Sequence, residues 1–93
     1  MDAKPESKSP LYVGASVLIR TVTFFYTGRV VLLTPDEIVL ADAAWIADTG
    51  RFADAIESLK FNEIEPFPEG LVAIGRGSLI DAVRIDRAPR NVK

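Results

Sequence analysis

The segment Gly75-Arg76-Gly77-Ser78 carries the residue types best suited to binding a ligand. Two glycines flank an arginine between two apolar runs, which predicts a tight turn with the guanidinium at its apex. A guanidinium has five donors in a planar fork, so it can pair with a phosphate or stack on a base. The segment lacks the spacing and the lysine of a P-loop, so phosphate binding of that kind is not predicted. A hairpin turn whose arginine faces water explains the spacing equally well.

The commonest catalytic side chains are missing from this sequence. It has no histidine and no cysteine, which excludes imidazole bases, thiolate nucleophiles, disulfides and the usual zinc ligands. Glu63 and Glu65 are spaced as a carboxylate pair, but they lie in an acidic, polar stretch that is typical of a solvent-exposed face. Asp36, Glu37 and Asp42 do not have the spacing of a calcium loop. We therefore expect no enzyme activity, no cofactor and no metal site.

The charges are unevenly distributed along the chain. The formal net charge is −2, but acids dominate residues 35–70, whereas residues 71–93 are basic. The basic residues of this last part are Arg76, Arg84, Arg87, Arg90 and Lys93. A basic end beside an acidic middle is compatible with a polyanion contact on one face. A solvated surface with a frayed basic terminus is the simpler interpretation.

The length of 93 residues allows one compact domain. Residues 1–10 are polar and rich in Lys, Ser and Pro, which predicts a disordered N-terminal arm. Residues 11–87 are expected to form the domain, and residues 88–93 a basic tail. No apolar run is long enough to span a membrane, and the arm lacks the apolar core of a signal peptide. We therefore expect a cytoplasmic protein with no membrane partner.

Hydrophobic patterning predicts five strands and one short helix. The strands are expected at residues 17–26, 29–33, 38–47, 71–74 and 79–85, and residues 61–70, with two prolines, as an irregular segment. Gly28, between the first two runs, suits either a tight turn or a sharp bend in a continuing strand. Phe52, Ala55, Ile56 and Leu59 have helical spacing, which predicts a helix over residues 51–60 with Phe52, Ile56 and Leu59 mostly buried. Five strands and close turns favour a small closed or nearly closed barrel.

Two motifs resemble those of the Sm-like (LSm) family of ring-forming RNA-binding proteins. The first reads Tyr26-Thr27-Gly28-Arg29-Val30, then a turn at residues 34–37 and an aliphatic strand that ends at Asp42-Ala43. The second spans residues 73–83 around Gly75-Arg76-Gly77. With the first strand, the two motifs cover most of residues 16–85. The resemblance implies a mainly β fold, a five-stranded Sm/SH3-like barrel, here with the helix inserted between the third and fourth strands.

The resemblance also implies a site and an assembly. In the family, the arginine of the second motif and an asparagine in the loop after the second strand form a uracil pocket at the pore of the ring. Arg76 and Gly77 match the second motif, while the position nearest the asparagine is Glu37, an acid that repels phosphate. Arg29 is expected to assist, and Tyr26 is a candidate for stacking on a base. The fourth strand of one subunit would pair with the fifth strand of the next, giving a ring of five to seven copies.

Three functions remain open at this point. The first is a homo-oligomeric ring that binds single-stranded RNA or DNA, with a role in nucleic-acid processing. The second is a structural ring or scaffold without nucleic-acid binding, which the acidic middle of the chain favours. The third is a monomeric SH3-like adaptor that holds a peptide with its aromatic side chains.

Overall fold

The computed structural model describes residues 9–88. The predicted disordered arm, apart from its last two residues, and the basic tail after residue 88, with Arg90 and Lys93, lie outside this range. The described chain contains six strands, one α-helix and a 3₁₀ turn. Their bounds are β1 Ser16–Thr21, β2 Phe25–Leu33, β3 Glu37–Asp48, α1 Phe52–Ser58, β4 Glu63–Pro66, β5 Val72–Gly75, the 3₁₀ turn Arg76–Ser78 and β6 Leu79–Arg84.

All the strands belong to one antiparallel sheet with the order β4-β3-β2-β1-β6. The long strand β3 pairs with β2 along one edge. Its other edge is shared, because β5 pairs with residues 37–40 and β4 with residues 44–48. The prediction of a mainly β fold with one short helix is confirmed. The structure has six strands rather than five, and the pairing path through residues 9–88 is open, so the closed five-stranded barrel is not seen.

The strand β4 lies in the segment that was predicted to be irregular. Its residues alternate between exposed glutamates and the buried Ile64, whose cross-strand partner is Ile46. This alternation is the period of a half-buried strand. Pro66 is tolerated because β4 is an edge strand that ends at this residue. Residues 61–70 were predicted to be irregular because they contain two prolines, and the alternating pattern of β4 is too short to have indicated a strand.

The predicted first strand, residues 17–26, is divided by a turn. The main-chain N–H and the Oγ1 hydroxyl of Thr21 both donate to the carbonyl oxygen of Phe24, at 2.9 and 2.8 Å. The chain therefore reverses between β1 and β2 without a glycine or a proline.

Between the paired strands β1 and β6, Asp81 on β6 accepts a hydrogen bond from Arg20 Nη2 on β1 at 2.5 Å. This hydrogen bond and the negative charge of Asp81 raise the pKa of Arg20 above its ordinary value.

Gly28 lies inside β2, so the run continues as one bent strand and does not turn there. A Cβ at this glycine would lie 2.7 Å from the Cβ of Leu40 and 3.1 Å from the carbonyl oxygen of Ala41. Opposite Gly28, β3 has one extra residue, and Asp42 adopts a φ of 53°. This is a β-bulge, which bends the sheet and increases its twist.

The sheet has an apolar cluster on each of its faces. The first cluster comprises Ala15, Val17, Ile19, Val30, Ile38, Leu40, Ala43 and Ile74. The second comprises Leu18, Ala44, Ile46, Ala55, Leu59, Phe61, Ile64 and Ile85. Ala55 of the helix and Leu59, the residue after its end, belong to the second cluster, while Ile56 is half-buried against it. Phe52 was predicted to be mostly buried but is 43% exposed, because it packs on the ring of Phe25 at the margin of the cluster.

Candidate functional site

Two turns that are remote in sequence meet at the start of β3. The main-chain N–H of Arg76 donates to the carbonyl oxygen of Asp36 at 3.0 Å, and its Nε donates to the carbonyl oxygen of Thr34 at 2.6 Å. Gly75 is the cross-strand partner of Glu37. The second Sm-like motif therefore lies against the turn of the first. We call the segments 34–37 and 75–78 together the Arg76 site.

The Thr34 turn is held by its own hydrogen bonds. The Oγ1 atom of Thr34 accepts from the N–H groups of Asp36 and Glu37, at 3.2 and 2.9 Å, and the N–H of Thr34 donates to the carbonyl oxygen of Glu37 at 3.0 Å. On the other side, Ser78 Oγ donates to the carbonyl oxygen of Gly75 at 2.8 Å. Each half of the Arg76 site thus has hydrogen bonds of its own, in addition to those that join the two halves.

The Arg76 side chain is half-buried, and its Nε is used by the protein. Its terminal nitrogens extend beyond the bonded Nε, and a fork in this position can reach a planar or anionic ligand. Gly77 is exposed, and no atom lies within 4 Å of a Cβ built on it. Asp36 and Glu37 in the facing turn place two carboxylates in the same site. A phosphate would meet one guanidinium and two acids.

The other two predicted site residues lie elsewhere on the sheet. Arg29 pairs with Ala41 in the strand register, roughly 13 Å along β3 from Glu37 at the usual rise per residue. Its guanidinium forms an ion pair with Asp42. Tyr26 lies still further along and stacks on Phe67, with ring centroids 6.3 Å apart. The structure brings Arg76, Gly77 and Glu37 together, but it does not place Arg29 and Tyr26 with them.

The two strands predicted as sheet edges are edges among residues 9–88. β5 pairs only with β3, and β6 only with β1. Because N–H directions alternate along a strand, the bond from Arg76 N to Asp36 O leaves the N–H groups of Ala73 and Gly75 pointing away from β3. In the same way, the bond from Ile85 N to Ser16 O leaves those of Ala82 and Arg84 pointing away from β1.

A second feature is a row of aromatic side chains in the turn before β2, in β2 and β3, and in the segment after β4. The rings of Phe24 and Trp45 are 4.8 Å apart, Trp45 is the cross-strand partner of Tyr26, and Tyr26 stacks on Phe67. We call these four residues the aromatic strip. The part played by Phe67 was missed, because residues 61–70 were interpreted as irregular.

Among residues 9–88, the basic residues near the C-terminus, Arg84 and Arg87, have different surroundings. Arg84 Nη1 donates to the hydroxyl of Tyr12 at 2.6 Å beside a polar cavity of about 320 Å³, which Asp86 also lines. Arg87 is exposed, and Arg90 lies outside the described residues. Over residues 9–88 no group of three or more acidic side chains is arranged to hold a metal ion, and no helix is long and apolar enough to cross a membrane.

No protein-family model matches the chain, and no curated protein matches it. The Sm-like resemblance therefore stays a prediction made from the two sequence motifs.

Proposed function

We propose that the protein is a cytoplasmic, homo-oligomeric ring with an Sm-like barrel in each subunit, and that it binds single-stranded RNA or DNA at the Arg76 site. The observation that carries this proposal is the contact of Arg76 with the turn at residues 34–37. The two motifs of the resemblance are remote in sequence, and a shared binding site requires them to be adjacent. Arg76 holds that position with two hydrogen bonds.

The strand pairing supports the assembly. Without the short β4, the order β5-β3-β2-β1-β6 ends in two different edges. An edge strand with outward N–H and C=O groups is a template for another strand. Pairing β5 of one subunit with β6 of the next joins two unlike surfaces, and such a head-to-tail contact closes into a ring when the rotation permits. We propose five to seven subunits by analogy with the Sm-like family.

A structural ring without nucleic-acid binding is the second candidate. The observation that favours it is the position of Asp36 and Glu37 in the turn that faces Arg76. Two acids beside one guanidinium weaken the attraction for phosphate. In this case the hydrogen bond from Arg76 to Thr34 only stabilises the fold, and the function of the protein depends on ring assembly through the edges of β5 and β6.

Binding of short uridine-rich and adenine-rich oligonucleotides at two salt concentrations distinguishes the candidates. We expect affinity at low salt that falls as salt rises, since phosphate contacts release counterions. Arg76→Ala should weaken binding by about 1–3 kcal/mol, the usual loss for a stacking or base-reading side chain. Sedimentation of the same variant should show an unchanged oligomer.

Arg51→Ala is the matched control for this experiment. Arg51 is a well-exposed arginine at the start of α1, beyond the opposite end of β3 from the Arg76 site. Arg51 has the same charge as Arg76. Arg51→Ala should leave oligonucleotide affinity within about twofold of the parent protein, because removal of one distant surface charge changes binding little. Equal losses for the two variants would mean nonspecific attraction. An oligomer that binds neither oligonucleotide at low salt would establish the structural ring.

A further inference from the structure

The aromatic strip and the groove beside it are not used by the proposed function. We propose that this surface binds an extended, proline-rich peptide that carries arginine or lysine. The surface consists of Phe24, Tyr26, Trp45 and Phe67 with the groove lined by Pro68, Glu69 and Leu71. It lies away from the Arg76 site, so the proposal is independent of nucleic-acid binding.

The strip lies where the first apolar cluster opens to solvent. In the strand register, Ile19, Tyr26, Trp45 and Glu65 form one row across β1, β2, β3 and β4. Burial decreases along this row, from the fully buried Ile19 through the two half-buried aromatic rings to the exposed Glu65. Tyr26 and Phe67 are packed against the first cluster, and Tyr26 and Trp45 are each partly exposed to solvent. Phe24, which packs against Trp45, is 37% exposed and extends the surface.

The groove adjoins the strip through Phe67, which belongs to both. Its volume is about 310 Å³, at the lower end of the range for ligand pockets. Leu71 on its wall is 62% exposed, a large value for a leucine that no neighbouring element covers within residues 9–88. Rigid aromatic rings next to a shallow apolar groove are the arrangement that holds a polyproline helix, because that conformation is already extended before binding.

The charge of the surface selects the chemistry of the ligand. Glu65 lies opposite Trp45, and Glu69 lines the groove. Glu63 is also exposed on β4, two residues from Glu65. These carboxylates attract a cationic side chain and repel a phosphate backbone, so bases of a nucleic acid are disfavoured on these rings even though they could stack there. The prolines of such a peptide can pack on the aromatic rings, and its basic residues can pair with the carboxylates.

Trp45 reports on this surface directly, because it is the only tryptophan of the chain. The probe is the synthetic peptide Lys-Pro-Leu-Pro-Arg-Pro-Leu-Pro, titrated into the protein at a fixed protein concentration. We expect a saturable change in Trp45 emission as the peptide excludes water from the ring. Two analogues test the chemistry: glutamate in place of lysine and arginine, and alanine in place of every proline. Each should bind at least about tenfold more weakly, the size of effect seen for a lost anchor.

Variants of the protein test the position of the site. Leu71→Ser should weaken binding about tenfold, as removal of an apolar anchor does. Leu32→Ser is its control, since Leu32 is 50% exposed on β2 and lies outside the surface. Glu65→Lys with Glu69→Lys should weaken binding about fivefold or more, the loss expected for two exposed charge pairs. Glu57→Lys, an exposed acid on α1, should leave affinity unchanged.

Four results would overturn the proposal. One is the absence of any emission change with the basic peptide. Another is equal affinity for the glutamate analogue, which would remove the charge argument. A third is an emission change produced by a single-stranded oligonucleotide and not by the peptide. The last is an emission shift that depends on protein concentration alone, which would mean that a second copy of the chain covers the strip.

Discussion

Arg76 takes part in the architecture as well as in the candidate site. Its Nε bond to the Thr34 carbonyl joins residues 42 positions apart in the sequence. A lysine would keep the positive charge but could not offer an Nε donor while leaving a planar fork beyond it. Under the proposed function, an arginine at this position meets two demands at once, one from the turn at residues 34–37 and one from the ligand. This double demand explains why an arginine between two glycines need not simply face water.

Gly28 is the residue on which the bend of β2 depends, and this gives the first prediction. Gly28→Ala should lower the free energy of unfolding by about 1–3 kcal/mol, the usual range for overpacking. The new Cβ would meet the Cβ of Leu40 at 2.7 Å, and Leu40 is fully buried and cannot move aside. Urea unfolding, monitored by the emission of Trp45, measures the change.

Gly77→Ala serves as the control for Gly28→Ala. No atom lies within 4 Å of a Cβ built on Gly77. We expect unchanged stability or a slight gain, because alanine restricts the unfolded chain more than glycine does. If both variants unfold at the same urea concentration, the contact between Gly28 and Leu40 does not set the bend.

At the level of the elements, the sequence was informative wherever hydrophobic periodicity was strong. β3 and β6 were predicted to within two residues of their bounds, and residues 52–58 were recognised as helix from the apolar spacing of Phe52, Ala55, Ile56 and Leu59. β4 was missed because its burial depends on one residue, Ile64. The reversal at Thr21 was missed because a hydroxyl hydrogen bond, and not a glycine or a proline, closes it.

The candidate site was predictable only in part. The spacing of the glycines predicted a tight turn around Arg76. It did not decide whether the arginine side chain faces water or binds a ligand. The nearness of Arg76 to the turn at residues 34–37 followed only from the family resemblance, since no periodicity links segments so far apart in the chain, and the bond to the Thr34 carbonyl was not predicted. The sequence did not predict the partner of Arg29: the bulge at Asp42 brings a carboxylate into its reach, and the two charges pair with each other. Partner choice of this kind depends on the sheet register, which the sequence does not encode locally.

The end of α1 provides the second prediction. Leu59 closes the helix in a left-handed conformation, with a φ of 60°, and is 5% exposed in the second cluster. Leu59→Ala should reduce the free energy of unfolding by about 2–5 kcal/mol, because it leaves a cavity. Leu59→Gly loses one more methyl group but removes the left-handed strain of roughly 1–2 kcal/mol. We therefore expect the glycine variant to be at least as stable as the alanine variant.

Thermal unfolding compares the stabilities of Leu59→Gly and Leu59→Ala. The test is decisive because the expected order, with glycine at least as stable as alanine, is the reverse of the usual one. In an ordinary helical or extended position, glycine is less stable than alanine by about 0.5–1 kcal/mol. Glu57→Ala, on the exposed face of the same helix, controls for general effects on helix stability. A glycine variant clearly less stable than the alanine variant would show that Leu59 does not hold the left-handed conformation.

The molecule as a whole has edges that its own chain does not cover within residues 9–88. The outward N–H groups belong to Ala73 and Gly75 on β5 and to Ala82 and Arg84 on β6. β4, by contrast, is an edge strand protected by two glutamates and a terminal proline, features that discourage strand pairing. Protection of β4 and exposure of β5 and β6 is the pattern expected if the latter two meet in an oligomer.

Gly75 offers a substitution that separates assembly from folding. Its φ is −66°, the value that proline imposes, and no atom lies within 4 Å of its Cβ position. Its N–H points away from β3, so Gly75→Pro removes a donor from the free edge and none from the sheet. The preceding residue, Ile74, is already extended, as a residue before proline should be. We therefore expect an intact fold in Gly75→Pro.

Sedimentation velocity of Gly75→Pro, with Gly75→Ala as the control variant, tests the assembly. The alanine variant keeps the outward N–H and should sediment as the same oligomer as the parent protein. The proline variant should sediment as a monomer or a small open species, because the ring needs that donor at every contact between β5 and β6. Its far-ultraviolet circular dichroism should match that of the parent, which excludes misfolding as the cause. A parent protein that is monomeric at micromolar concentration, or a proline variant that keeps the parental mass, would reject edge pairing through β5 and with it the proposed ring.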